Sequence, residues 1–286
     1  MSMLQSKLKH DITHRKKRFN YFFLFVVCAG AILTFFPFYW MITGAFKTQP
    51  QILKIPPLWW PSPWILDNLK DVWTQYKFST YMVNSLFVTG TITIISLYTS
   101  ALIGYVVAKF NFPGKNVFFI CILATNMIPP VVLIISQYQL AATFHLIDKY
   151  AGLILPGIFN IFGIFTMRQF MHEIPQELLD AARVDGCSEL GIFHTIVLPN
   201  ISSAIGAAAI FIFIGSWNNF LWPLLVINKT SMFTLPVGLA MFNGQHVTDF
   251  RHTLAGALIS VLPVILFFAL FQRWISKGFV TSGLKG

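Results

Sequence analysis

The chain has 286 residues, of which 56% are hydrophobic and 10% charged, and its formal net charge at pH 7 is +10. Soluble domains carry about 25% charged residues, so this composition argues against a water-soluble protein and favours a chain whose solvent is lipid. The basic residues flank apolar runs and form no stripe with interleaved aromatics, which favours anionic lipid headgroups over nucleic acid as their partner. Three cysteines without CxxC spacing predict neither a disulfide framework nor a metal site.

Residues 1–18 are predicted to be a basic cytoplasmic tail, and a charge-free run from 19 to 42 follows them. A secretory signal peptide has an apolar core of about 7–15 residues and ends at a small-residue cleavage site. This run is longer and has no A-x-A pattern near its end. It therefore predicts a first transmembrane helix that is retained, and residues 19–286 are expected to form a single transmembrane domain.

Charge-free runs long enough to cross a hydrocarbon core of about 30 Å occur six times, which predicts an all-α, polytopic membrane protein. The predicted spans are 19–42, 84–108, 117–136, 150–167, 201–228 and 253–272. Pro129-Pro130 is expected to interrupt the third span, and polar residues together with Pro223 are expected to kink or break the fifth.

Thirteen of the 20 Lys and Arg residues fall on the side of the membrane that holds the N-terminus, and seven fall on the other side. Because cytoplasmic loops carry the excess of Lys and Arg, both termini are predicted to be cytoplasmic. The same count places the loop between the fourth and fifth spans in the cytoplasm, and the proline-rich segment 43–80 outside.

The six spans contain no Asp, Glu, Lys, Arg or His. Ion-driven carriers usually keep ionisable groups within the membrane, so a carrier that works alone is disfavoured, although backbone carbonyls can bind Na+. The chain has no G-x-x-x-x-G-K-[ST] loop for phosphate, no HExxH and no G-x-S-x-G. We therefore expect no enzyme activity, no cofactor and no metal on this chain, and any ATP energy must come from another subunit.

One polar cluster, GSWNNFLWPLL at residues 215–225, falls in the fifth span. Asn218 and Asn219 point about 100° apart on a helix, and both need partners because a bare amide in hydrocarbon costs several kcal/mol. Two interpretations stay open. Either the amides bridge to neighbouring helices, or one lines a wet translocation path in which Trp217 and Trp222 stack on a flat sugar face.

The second span carries a helical stripe of hydroxyl groups, at Thr89, Thr93, Ser96 and Ser100. Small hydroxyl residues let helices pack closely and hydrogen-bond across the contact, so packing is the favoured interpretation. Thr89 and Thr93 are kept as alternative candidates for the wall of a translocation path.

Residues 173–199, EIPQELLDAARVDGCSELGIFHTIVLP, hold five of the ten acidic residues of the chain. Pro175 suits the first helical position and Gly186 the position after the last turn, which predicts a helix of about eleven residues. Ser188 is the expected cap of a second short helix, which Pro199 ends.

The first of these two helices is also given an apolar face by Leu178, Leu179 and Ala182. An acid-rich and partly apolar helix pair in the cytoplasm is predicted to fit into a socket on another protein. On a carrier without its own ATP site, this indicates where an ATPase attaches.

The window resembles the EAA loop of ABC-importer permeases, which follows the pattern E-A-A-x-x-x-G, nine residues, then I-x-L-P. This chain has Asp180-Ala181-Ala182, three residues, Gly186, nine residues, then Ile196-Val197-Leu198-Pro199. The segments FPGK, MIPP, SWNNFLWPL and FQRWISKGFVTSGLKG are similar to the same family. The chain is identified as a member of the carbohydrate-importer permeases of the maltose-permease type, among their second, shorter subunits. Asp180 departs from the usual Glu but keeps the charge.

The resemblance implies six transmembrane helices, with a cytoplasmic coupling-helix loop at 172–199 between the fourth and fifth. It also implies a homologous second permease and a cytoplasmic ABC ATPase dimer that uses ATP and Mg. An extracellular or periplasmic solute-binding protein would bring sugar to the outer face, and the setting is a bacterial cell membrane. The residues implied in ATPase coupling are Glu177, Asp180, Ala181, Ala182, Asp185, Gly186, Ile196, Leu198 and Pro199, with tail contacts at Gln272, Lys285 and Gly286.

Three rival functions are weighed against a sugar importer. The same kind of importer could carry glycerol 3-phosphate or its diesters, but a phosphate cargo favours cations along the path and no span holds one. A stand-alone ion-coupled carrier would transport without ATP. A membrane enzyme would need converging ionisable groups, which the spans lack.

Overall fold

The computed structural model describes residues 2–242 and 249–283, and it is all-helical over these ranges. The helices of the first half are α1 (Ser2–Gly44), α2 (Gln49–Ile52), α3 (Asp67–Thr74), α4 (Phe78–Lys109), α5 (Lys115–Thr125), α6 (Pro130–Thr143) and α7 (Tyr150–Ile154). Those of the second half are α8 (Ile161–His172), α9 (Gln176–Val184), α10 (Glu189–Ile192), α11 (Leu198–Asn200), α12 (Ser202–Trp217), α13 (Leu221–Val226), α14 (Leu235–Ala240) and α15 (Phe250–Gly283). Shorter turns are 3-10 at Leu155–Gly157 and Thr230–Met232, and π at Phe193–Val197.

Three of the described helices are long and apolar enough to cross a membrane without a break, at Phe23–Gly44, Phe78–Lys109 and Phe250–Trp274. Three further helix pairs pass the same test only together and are bent. The bends are 96° between α5 and α6, 42° between Tyr150–Gly157 and α8, and 80° between Glu189–Asn200 and α12. The described chain therefore has three spans, or six if each bent pair counts as one, and six is the number that the sequence predicts.

Prolines explain the bend between α5 and α6 and a further break within the predicted fifth span. Pro130 is the first residue of α6, and Pro129 precedes it in an extended conformation, so the third span is interrupted where the sequence predicts. The predicted fifth span breaks at residues 218–220, between α12 and α13. Pro223 explains this position, because its ring excludes the carbonyl of the residue four before it and it has no N–H to donate.

Helix α4 is the centre of the packing. It makes its most extensive contact with α8 and also packs on α12, which in turn packs on α15. Small residues allow this closeness, since a Cβ added at Gly104 would lie 3.0 Å from the backbone nitrogen of Arg168. Helix α1 is different. It packs mainly on α15, and none of its most apolar window is buried within the chain.

The loops between the spans meet alternately at the two ends of the bundle. At one end, which we call the loop end (residues 45–77, 144–149 and 227–242), Asn84 Nδ2 donates to the carbonyl oxygens of Ser231 and Phe233 at 2.9 Å each. Asp148 Oδ1 accepts from the backbone nitrogen of Asn228 at 2.6 Å, and this hydrogen bond lowers the pKa of Asp148. At the other end lies the acidic loop, residues 172–199.

The segment 43–80, which the sequence predicts only to lie outside, is folded at the loop end. Asn68 and Val72 of α3 are buried, and Asn68 Nδ2 donates to Lys47 O at 2.9 Å. Lys47 is fully buried, with Nζ 2.5 Å from Leu58 O and 4.3 Å from the centroid of the Trp40 ring. Burial lowers the pKa of Lys47. The segment 43–80 therefore has buried, hydrogen-bonded residues of its own at this end of the bundle.

Candidate functional site

The first helix of the acidic loop, α9, begins and ends for local reasons. Pro175 precedes Gln176 at its start, Glu177 lies in its first turn and Arg183 in its last, as the helix dipole favours. Gly186 follows with φ +84°, a left-handed conformation that favours glycine. The helix has nine residues, against the eleven predicted, because Pro175 and Asp185 are its caps and do not join it.

The second part of the acidic loop is a nearly continuous helical stretch from Glu189 to Asn200. Ser188 Oγ accepts from the backbone nitrogen of Gly191 at 3.1 Å, so the predicted cap is found. The stretch passes through the π turn and ends at Asn200, one residue beyond Pro199. The 80° bend that follows at Ile201 turns the chain into α12, so this stretch does not continue the direction of the fifth span.

Arg183 holds the two parts of the acidic loop together. Its Nε lies 2.7 Å from Glu189 Oε1, and its Nη1 lies 2.5 Å from Asp180 Oδ1. The hydrogen bond to Glu189 raises the pKa of Arg183 above its usual value, so the guanidinium is charged at any physiological pH. Tyr105 of α4 donates its hydroxyl to Glu189 Oε2 at 2.9 Å. Two of the five acids in the loop are thus paired within the chain.

The apolar face of α9 is only partly available to another protein. Leu179 is fully buried and Ala182 is 7% exposed, because both pack on the core of this chain. The predicted socket contact through Leu179 and Ala182 is therefore wrong for their side chains. The exposed large apolar residues of α9 are Leu178, at 44%, and Val184, at 88%.

The other residues implied in coupling have varied positions. Six are exposed, namely Glu177, Asp180, Ala181, Asp185, Gly186 and Pro199. Ile196 and Leu198 are half-buried against the core. In the tail, Gln272 is exposed and its Nε2 donates to Ala269 O at 3.3 Å, whereas Lys285 and Gly286 lie outside the described residues.

A cavity of about 380 Å³ opens where α12 ends. Its wall combines apolar side chains with the polar groups of Gln137, Asn160, Ser216 and Asn219, and Trp222 also lines it. No ionisable side chain is among the described residues that line it. The cavity can therefore offer amide and hydroxyl hydrogen bonds beside an aromatic ring, but no charge.

The structure separates the residues predicted for the substrate path. Asn219 and Trp222 line the cavity, whereas Asn218 is exposed and does not. Trp217 is 3% exposed, donates Nε1–H to Ser260 O at 3.2 Å and stacks on Phe213, so it cannot stack on a sugar in this conformation.

The indole of Trp222 is also held by the chain itself. It is 7% exposed, and its Nε1–H donates to Gly152 O at 2.9 Å. Trp222 therefore presents only part of its ring to the cavity.

The hydroxyl stripe of α4 lies inside the bundle. Thr89 and Thr93 are 2% and 5% exposed, and Thr93 Oγ1 donates to Thr89 O at 2.7 Å. Thr93 is thus a packing residue and not a wall of the large cavity. Thr89 Oγ1 lies 3.5 Å from Ser216 Oγ, and Thr89 lines a smaller cavity whose wall shares Ser216 and Asn219 with the large one.

Gln137 and Asn160 are cavity residues that the sequence reasoning missed. Asn160 caps α8, with Oδ1 accepting from the backbone nitrogen of Gly163 at 2.8 Å. An asparagine directly before an apolar run is a cap signal that could have been noticed. Gln137 is a lone amide of α6, beyond the 96° bend, and it lines the same cavity as Asn219.

The described residues contain no group of three or more His, Cys, Asp or Glu that could hold a metal ion. The polar groups of the cavity are neutral amides and hydroxyls, which suit a neutral polar ligand and not a cation or an anion.

Comparison with known proteins places this geometry in a family. Residues 100–280 match the model of the binding-protein-dependent transport system inner membrane component. The arabinooligosaccharides transport system permease protein AraQ of Halalkalibacterium halodurans is 36% identical over 259 residues, which are 90% of this chain and 93% of that protein. The sn-glycerol-3-phosphate transport system permease protein UgpE of Yersinia enterocolitica is 31% identical over 261 residues, 88% of this chain and 93% of that protein.

A solved structure shares the fold. A chain in the crystal structure of a bacterial ABC transporter involved in the import of the acidic polysaccharide alginate superposes with a TM-score of 0.81 at 19% identity, covering 91% of this chain and 97% of that one. The all-helical, multi-pass fold and the family predicted from the sequence are both confirmed. The chain belongs to the binding-protein-dependent transport system inner membrane components, and it is a membrane permease subunit of an ABC importer.

Proposed function

We propose that this chain and a homologous second permease together form the alternating-access path of an importer for a neutral oligosaccharide. The cavity beside Asn219 is the observation that carries this proposal. It offers neutral hydrogen-bonding groups and part of an aromatic ring, which is the chemistry that recognises sugar hydroxyls and a sugar face. The relatives that transport arabinooligosaccharides support a pentose oligosaccharide as the cargo.

The acidic loop is proposed to couple the path to a cytoplasmic ABC ATPase dimer. Because Arg183 pairs with Asp180 and Glu189, the acids of the loop without a side-chain hydrogen bond or ion pair within the described chain are Glu173, Glu177 and Asp185. Glu173 lies before α9, which leaves Glu177 and Asp185. These two acids share one face of α9 with exposed apolar residues, at the helical spacing i, i+1, i+4, i+7 and i+8. We call this surface the docking face, and it consists of Glu177, Leu178, Ala181, Val184 and Asp185.

The orientation follows from the charge asymmetry together with this loop. Both termini and the acidic loop lie in the cytoplasm, and the loop end faces outward, where a solute-binding protein delivers the sugar. Contacts that alternate between the two ends of the bundle support this arrangement. The exposed apolar surface of α1 suits lipid and the second permease.

Glycerol 3-phosphate is the second candidate cargo, because relatives at 31% identity are permeases for it. A phosphate dianion is usually held by Arg, Lys or a helix N-terminus. The cavity wall has no cation among its described residues, which favours the sugar.

Uptake measurements separate the two cargoes. Radiolabelled arabinotriose and sn-glycerol 3-phosphate are offered to cells of the native host with and without the gene for this chain. We expect ATP-dependent arabinotriose uptake that disappears with the chain, while glycerol 3-phosphate uptake is unchanged. Loss of glycerol 3-phosphate uptake alone would contradict the sugar assignment.

A further inference from the structure

Helix α4 connects the cavity to the acidic loop without a break. Ile92 lines the cavity, and Tyr105 touches the acidic loop about 20 Å further along the same helix, at 1.5 Å rise per residue. In contrast, the predicted third span is interrupted by one bend of 96°, and the predicted fifth span is interrupted by the break at 218–220. Helices α8 and α12 are also unbroken, but the backbone itself joins them to the acidic loop. Among the described helices that line the cavity, α4 is therefore the one whose link to the acidic loop is made by side chains.

Tyr105 is the side chain at which α4 bonds to a charged group of the acidic loop. It is 3% exposed, and its hydroxyl donates to Glu189 Oε2 at 2.9 Å. Its ring packs on Phe193 of the loop, with the centroids 5.5 Å apart, and on Phe110 at 5.3 Å. A hydrogen bond to an ionised acceptor is about twice as strong as one between neutral groups.

The bond extends into a network that includes both parts of the loop. Glu189 accepts from Tyr105 and from Arg183, and Arg183 also holds Asp180 on α9. Lys109 Nζ adds a hydrogen bond to Ile174 O, at the entrance of the loop. Because Arg183 itself lies on α9, a displacement of this helix reaches Tyr105 through two side chains, Arg183 and Glu189, which are joined by charge-assisted hydrogen bonds.

We infer that Tyr105 is a positioning residue through which the acidic loop moves α4, so that ATP-driven displacement of the docking face changes the cavity. The inference rests on the proposed docking of the ATPase. We expect the Tyr105 hydroxyl to transmit movement and not to attach the ATPase, because the residue is buried and its partner Glu189 is not part of the docking face.

Tyr105→Phe tests the inference, because it removes the hydroxyl and keeps the ring packing. The matched control is Tyr81→Phe, at a buried tyrosine on the same helix near the loop end. The reporter is Gln137→Cys, an exposed position on the cavity wall, in a chain whose Cys28, Cys121 and Cys187 are replaced by Ser. Its labelling rate by a membrane-impermeant maleimide is measured in right-side-out vesicles, with and without ATP and vanadate inside, and the ATPase that co-purifies is quantified.

With Tyr105 intact, we expect ATP and vanadate to change the labelling rate of the cysteine by about fivefold or more. Fivefold is about the lower limit of the effect that one site typically has on another in allosteric proteins. Tyr105→Phe should shrink this change to less than about twofold while the amount of bound ATPase stays the same, and Tyr81→Phe should keep the full change. Glu189→Gln, which still offers Tyr105 an acceptor, should keep more of the response than Glu189→Ala.

A full nucleotide response in Tyr105→Phe would overturn the inference. Loss of the ATPase from this variant would also overturn it, since the hydroxyl would then support attachment. If the chain with Tyr105 intact captured no ATPase, the proposed coupling function would fail first, and this result is distinct from the other two.

Discussion

The acidic loop and the cavity are built in opposite ways. The loop is one continuous segment whose internal ion pairs are local, since Arg183 pairs with Asp180, three residues away, and with Glu189, six residues away. The cavity brings together residues from distant parts of the chain, and its neighbours Trp222 and Gly152 are joined by a hydrogen bond across 70 positions. A docking element can thus be recognised from a short stretch of sequence, whereas a substrate site of this kind depends on how the bundle is bent.

The largest effect is expected at Gly186, where the loop depends on one backbone conformation. Gly186→Val places a β-branched residue at φ +84° and costs about 1–2 kcal/mol, so ATPase co-purification should fall about tenfold. There is open space around this position, so strain and not a clash is the cause. Gly186→Asn is the control, because asparagine tolerates the left-handed conformation and should retain most of the ATPase.

On the cavity side, the two adjacent asparagines provide a matched pair. Asn219→Leu should lower sugar uptake about fivefold through loss of about one hydrogen bond to the substrate, and it should leave ATPase binding unchanged. Asn218→Leu lies off the cavity wall and should have little effect on uptake. Equal losses in both variants would mean that the cavity is not the path.

The docking face should depend on its unpaired acids. Glu177→Gln combined with Asp185→Asn removes two exposed charges and should reduce retained ATPase about threefold at low salt, with a smaller effect at high salt. Glu173→Gln is the control, since this exposed acid of the same loop lies outside the docking face. An effect that does not change with salt would contradict an electrostatic role.

The smallest effect is expected from the indole hydrogen bond of Trp222. Trp222→Phe removes the bond to Gly152 O and should lower the melting temperature in detergent by about 2–4 °C. Trp217→Phe removes a longer bond to Ser260 O, away from the cavity. Both variants should lose stability, but only Trp222→Phe should also reduce sugar uptake. An equal loss of uptake in the two variants would mean that Trp222 acts only through the stability of the fold.

Sequence reasoning reached the loop much better than the cavity, for physical reasons. The left-handed glycine at 186 and the Ser188 cap are local backbone signals, and the double proline at 129–130 marks a bend directly. The burial of Ala182 could not be predicted from local sequence signals of this kind. An acid-rich amphipathic helix looks alike whether its apolar side faces a partner or its own core, and here most of that side faces the core.

The cavity residues were harder to identify because each has a local role of its own. Asn160 is a helix cap and Trp222 donates to Gly152 O, and neither role tells which side chain reaches the open space. Asn218 and Asn219 are neighbours, so their different exposure to the cavity follows only from the break at 218–220. The direction of that break is a tertiary property.

Cross-linking at the docking face tests the coupling of this chain to an ATPase most directly. Val184→Cys, at a position 88% exposed, carries a photoactivatable reagent in native membranes, with Cys28, Cys121 and Cys187 replaced by Ser. We predict that Val184→Cys captures a cytoplasmic ABC ATPase, identified by mass spectrometry, and that the buried Ala182→Cys captures little or none. If a folded and labelled Val184→Cys protein captured no ATPase, the docking face would not be the attachment site, and the coupling assigned to the acidic loop would be wrong.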